Sequence, residues 1–197
     1  MARKTDASWG GMLPPQPVSL RMLRINTMAT YADYFVPGPT LLTCETVNRE
    51  NVLDSDGKIR LLRTVLNNVR QQHAFRMMAY VFLRNQLHLL LAPGASVTLD
   101  QIVHDMMRRF ERDYAALLGM PQMARVWRRT YAAHKANDVD EFAAMLDYVH
   151  YSPVQHGLAP RPEEWLHSSY ETWVERGLYE LGWGWQEPES VKGKRWG

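Results

Sequence analysis

The chain has 197 residues, 46% of them hydrophobic, with 23 Lys and Arg against 21 Asp and Glu and a formal net charge of +2. This is enough chain for one domain with its own core. There is no apolar run of about 18 residues, which excludes a membrane-spanning helix, and the single cysteine, Cys44, excludes an intramolecular disulfide and suits a reducing cytoplasm.

Residues 1–30 mix Gly, Pro and Ser with isolated apolar residues and read as a flexible arm; no apolar segment precedes Pro14, so no secretory signal is expected. Residues 39–47, rich in Thr, Leu and Val, predict a strand. Over 57–72, Ile59, Leu62, Val65, Leu66 and Val69 recur at helical spacing. Residues 75–83 and 86–92 are two strands separated by Arg84-Asn85, the spacing of an antiparallel hairpin. Thr98 and Gln101 form a capping box for a helix over 98–118 that Gly119 closes. Residues 125–132 predict a fourth strand. Asp138 and Glu141 then open a helix that Pro153 is expected to end. Residues 184–197 form an irregular tail, read as a frayed terminus carrying Lys192, Lys194 and Arg195.

With no repeat and no linker, the expectation is one domain over 31–183. Its order implies an α+β fold with a ferredoxin- or RRM-like βαββαβ core. The antiparallel sheet has helices on one face, with a C-terminal helix and an extended tail added. The other face of such a sheet commonly receives nucleic acid.

The strand over 86–92 alternates, placing Gln86 and His88 on one face about 7 Å apart. Such a pair can grip a divalent cation or can be a hydrogen-bonded structural pair, and spacing leaves both open. Tyr148 lies at the margin of the apolar stripe of Phe142, Met145, Leu146 and Val149, with Ser152 one turn on. Taken alone, it reads as a packing residue with a wet hydroxyl. Arg108, Arg109 and Arg112 lie off the buried stripe of their helix, and Arg125, Arg128, Arg129 and Lys135 follow. Such a run is either a solvated face or a phosphate-binding one; in the second case Trp127, Tyr131 and Tyr151 offer stacking surfaces for unpaired bases.

Longer stretches carry more. Residues 83–91, LRNQLHLLL, resemble the "PNHVHLLL" strand of the HUH transposases, and residues 146–158, LDYVHYSPVQHGL, resemble their "LDYIHYNPVKHGL" helix end. Trp127 followed by His134 resembles the family's "WQRRFWEH" segment, and the tail residues Arg161 to Trp165, Ser168-Ser169 and Arg176 to Tyr179 match it further. Over about 31–183 the chain is similar to the single-tyrosine transposases associated with repetitive extragenic palindromes (REP). The resemblance implies binding of single-stranded DNA hairpins and cleavage and rejoining of strands through a 5′-phosphotyrosyl intermediate. It makes Tyr148 the nucleophile and gives Mg²⁺ or Mn²⁺ to Gln86, His88 and Ser152, and it adds His134 to the DNA-binding residues. It leaves the protein a monomer or a homodimer.

The departures fall on the metal positions. Gln86 stands where the family has the first His, Ser152 where it has Asn, and Ala132-Ala133 where it has Trp-Glu. An amide oxygen is a weaker, neutral ligand than an imidazole for Mn²⁺ and later metals. Two readings therefore stand: a working nuclease-ligase, or a domesticated, catalytically inactive hairpin-binding protein. A ferredoxin-like small-ligand or oligomerisation module is a third, and the clustered arginines and tail motifs count against it.

Overall fold

The computed structural model describes residues 29–196, so almost all of the N-terminal arm lies outside the described residues. The main elements are β1 (Thr40–Glu45), α1 (Asp56–Gln72), β2 (Phe75–Phe82), β3 (Gln86–Pro93), α2 (Leu99–Leu117), β4 (Ala132–Lys135), α3 (Val139–Gln155) and α4 (Tyr170–Glu175). The four strands form one sheet in the order β2-β3-β1-β4, each neighbouring pair antiparallel. The fold is α+β with the βαββαβ order, and β3 and β1 are its central strands.

Alternation along the central strands builds two cores. Leu42, Cys44, Leu87, Leu89 and Leu91 face α1 and α2, whose Leu62, Leu66, Val103 and Phe110 pack against them. Leu41, Leu90 and Val81 face the opposite way. That second face is not open: Phe142, Met145, Leu146 and Val149 of α3 and Trp173 of α4 cover it. Ten residues of α3 are buried, including the polar Asp147, His150 and Ser152, as befits a helix clasped between a sheet and the chain that follows it.

Two expected boundaries move. The fourth strand starts at Ala132, not near 125, and pairs with Thr40 to Thr43. The reason lies in Glu111: its carboxylate accepts the backbone N–H of Val126 (2.9 Å) and Trp127 (3.0 Å), so these amides serve a helix side chain and leave only an isolated bridge, Thr46 to Trp127. The helix carrying Tyr148 passes through Pro153 to Gln155. In a last turn Pro costs one missing N–H, and the chain then leaves through Gly157 at positive φ, with Leu158 N–H returning to the Pro153 carbonyl (2.8 Å).

The sheet has one covered edge. Along β2, Phe82 N–H donates to the His167 carbonyl and Ser169 N–H to that of Tyr80, both 2.9 Å, while Trp165 Nε1 reaches the Phe82 carbonyl at 3.0 Å. The segment around α4 thus closes that edge. The other edge, β4, is half-buried at Ala132 and exposed at Ala133, His134 and Lys135.

Candidate active site

His88 sits mid-way along β3, fully buried, opposite Thr43 of β1. The Thr43 hydroxyl donates to the Trp196 carbonyl (3.1 Å), and His88 Nδ1 lies 2.8 Å from the Thr43 hydroxyl oxygen. A hydroxyl has one proton, so Thr43 must accept here and His88 Nδ1 carries the hydrogen. Nε2 is left with its lone pair, buried and without a hydrogen-bond partner. Burial, reinforced by the neighbouring His156, pulls the His88 pKa down to about 3, so the ring is neutral.

Tyr148 meets His88 edge-on from α3, ring centroids 5.2 Å apart, and meets Trp196 at 5.0 Å on another side. Burial raises its pKa, opposed by the Trp196 backbone N–H and the Arg195 charge, so the phenol keeps its proton and needs activation to act as a nucleophile. The Ser152 hydroxyl is fully buried and donates to the Tyr148 carbonyl at 2.6 Å; it is committed to its own helix.

One turn further stands His156, to which the sequence alone assigns no role. Its Nδ1 lies 2.8 Å from the Ser152 carbonyl and must donate, which makes Nε2 the acceptor for the Gln86 amide N–H, also at 2.8 Å. The signal was the helical spacing of Tyr148, Ser152 and His156. Gln86, Tyr148, His156, Glu45, Arg49 and Arg195 together line a cleft of about 280 Å³.

The tail is part of this site. Besides placing Trp196 on Thr43 and Tyr148, it is anchored by Ser190, whose hydroxyl donates to buried Asp147 (2.6 Å). Tyr31 (2.6 Å) and Tyr179 (3.0 Å) donate to the same carboxylate, so chain from before β1 and after α4 converges beside Tyr148. Burial raises the Asp147 pKa against these three hydroxyls.

No family model matches the chain. It is 23% identical over 171 residues to the REP-associated tyrosine transposase of Escherichia coli strain K12, covering 85% of this chain and 98% of that protein. It is also 23% identical over 143 residues to a Haemophilus influenzae protein that carries the same name provisionally, covering 68% and 81%. In sequence the chain is thus similar to the REP-associated tyrosine transposases over most of its length. Its fold matches that of a REP-associated tyrosine transposase bound to a REP hairpin, with a TM-score of 0.66 at 21% identity over 82% of this chain and 94% of that one.

The expected DNA-binding residues divide into two groups. Arg108, Arg109 and Arg112 stand on α2, across the sheet from Tyr148. Arg109 donates to Asp105 at 2.8 Å, Arg108 to the same carboxylate at 3.4 Å, and Arg112 to Asp113 at 2.7 Å. Trp127 is 2% exposed and packs on Phe110, which corrects the expectation that it stacks on a base. Arg128 pairs with Glu45, itself a wall of the Tyr148 cleft. Arg125 and Arg129 are exposed and Tyr151 is half-buried. His134 and Lys135 join Lys194, Arg195 and Trp196 around a second cleft of about 570 Å³ on the other side of the tail.

Among the described residues no three His, Cys, Asp or Glu side chains gather where they could share an ion. The donors that remain nevertheless fit a divalent cation. His88, buried behind Tyr148, offers an unprotonated, unpartnered imidazole nitrogen, and Gln86, two residues before it on β3 and lining the Tyr148 cleft, offers an amide oxygen.

Proposed function

We propose that this protein binds single-stranded DNA hairpins formed by palindromic repeats and cuts and rejoins DNA strands through Tyr148. The observation that carries this reading is the Tyr148 phenol set edge-on to the neutral His88, at a cleft walled by Arg49 and Arg195. It occurs in a chain aligned over most of its length with REP-associated tyrosine transposases, one of which is bound to a REP hairpin in its solved structure.

In the reaction, the Tyr148 oxygen forms a bond to phosphorus while the bond to the 3′ oxygen breaks, and the phenolic proton ends on that oxygen. The covalent link conserves the phosphodiester, so rejoining to another 3′ hydroxyl needs no ATP. His88 and Gln86 would hold Mg²⁺ or Mn²⁺, which supplies charge stabilisation at phosphorus. The chain's own part is to fix the phenol against β3, keep its surroundings dry and bring cationic side chains to the phosphates. In this reading residues 31–183 handle the hairpin, and residues 184–196 cover the nucleophile.

A second reading, a hairpin-binding protein that does not cut, is favoured by Gln86 in an imidazole position and by Trp196 lying on Tyr148. One gel assay separates the two. The chain and its Tyr148→Phe variant are incubated with single-stranded hairpins from the gene's flanking DNA, with Mg²⁺ or Mn²⁺. The expected result is a covalent adduct that maps to Tyr148 and vanishes in Tyr148→Phe, with hairpin affinity unchanged within a few-fold. Binding without an adduct establishes the second reading, and no binding overturns both.

A further inference from the structure

We infer that His156 replaces the imidazole missing at Gln86, so that the cation of this site is held by His88 and His156 Nε2 with the Gln86 amide oxygen as third donor. The inference deepens the nuclease reading and rests on it for the identity of the site. Its basis is the hydrogen bonding of the two rings. Each has its Nδ1–H tied to a partner, Thr43 Oγ1 for His88 and the Ser152 carbonyl for His156, both at 2.8 Å. Each therefore presents Nε2 with a lone pair. A second group on the far nitrogen, fixing the tautomer and aiming the ring, is the arrangement that metal-bearing histidines require.

Position agrees with tautomer. The ring centroids lie 6.4 Å apart, and metal–nitrogen bonds of about 2.1 Å set two ligand rings roughly 5–6 Å apart. His156 is exposed, at the C-cap of α3, where a displacement of about 1 Å disturbs little packing. Gln86 already touches His156 Nε2 through its amide nitrogen, and half a turn about its terminal torsion presents the oxygen instead. Glu45 does not compete, being engaged by Arg49 and Arg128. The residue one turn after Tyr148 then acts through its backbone, positioning His156. Two imidazoles and one amide favour Mn²⁺ or Co²⁺ over Mg²⁺.

The test uses the full chain, titrated with MnCl₂ while the electron paramagnetic resonance of free Mn²⁺ is followed, with Co²⁺ absorption as a second readout. Hairpin binding is measured separately in EDTA. His156→Ala and His88→Ala are each expected to weaken Mn²⁺ binding about tenfold or more, and Ser152→Ala to leave it within roughly threefold. His156→Gln, which keeps a polar partner for Gln86, is expected to fall with His156→Ala and guards against a folding defect. Unchanged Mn²⁺ affinity in both His156 variants, or no Mn²⁺ binding by the parent, overturns the inference. Hairpin binding that survives in EDTA leaves the nucleic-acid reading standing in either case; its loss with Mn²⁺ binding intact fails that reading alone.

Discussion

His88 and His150 are both fully buried on the α3 side of the sheet, and burial depresses each pKa to about 3. In the unfolded chain these rings titrate near the ordinary value of about 6.5. Between those limits the unfolded state binds protons that the folded state refuses, so stability falls as pH falls through that window. Asp147 has the opposite sign: its pKa is raised, so the folded state takes up its proton first and offsets part of the loss at the acid end. The net expectation is a melting temperature highest near neutrality that drops between about pH 6.5 and 4, with a loss on the order of 5 kcal/mol at the lower limit. Thermal melts across this range check it, and a flat profile would mean that these rings are not closed to water. At this scale the residue types of the site were legible in the motif strings, but their states were not. Nothing in the letters LDYVHYSPVQHGL tells that Ser152 turns its hydroxyl back to Tyr148, or that Thr43 fixes the His88 tautomer from another strand.

The elements were legible where a local signal decided them. The capping box of Thr98 and Gln101 is present, and the 84–85 turn joins β2 to β3. They were misplaced where a distant side chain decided. Glu111 removes two amides from the expected fourth strand, and the next box is split: Asp138 accepts from Glu141 N–H while the Glu141 carboxylate takes Asn137 N–H. The tail is the largest case, because its docking depends on Thr43 and Tyr148, each far away in sequence. Its geometry makes it a cover over the phenol. Deleting residues 196 and 197 removes the Trp196 ring and carbonyl while leaving Lys194, Arg195 and the Ser190–Asp147 anchor in place. The variant is expected to nitrate at Tyr148 faster with tetranitromethane, read by mass spectrometry, and to form any DNA adduct several-fold faster. Unchanged nitration would mean that the last residues do not shield Tyr148.

At the scale of the whole molecule, the described residues leave the sheet little surface on which DNA can lie. α1 and α2 cover one face, α3 and α4 the other, and the segment over 165–173 lines the β2 edge. No helix among the described residues is long and apolar enough to cross a membrane. Besides the Tyr148 cleft that Arg49 and Arg195 wall, the β4 edge stays open, where Arg128 and Arg129 precede His134 and Lys135 and the tail adds Lys194 and Arg195. The net charge of +2 hides this, because position and not total decides where phosphate is attracted. The arginines of α2 stand in the opposite layer and are tied to Asp105 and Asp113. Arg129→Ala with Lys135→Ala is therefore expected to weaken hairpin binding, and to lower the slope of log affinity against log salt by about 0.7–0.9 for each phosphate that is no longer neutralised. Arg108→Ala with Arg112→Ala is expected to leave both quantities unchanged. Filter binding over a salt series distinguishes them: if the α2 pair carries the slope instead, the hairpin lies on the helical layer, and its phosphates run across the sheet from the tyrosine rather than along the edge that leads to it.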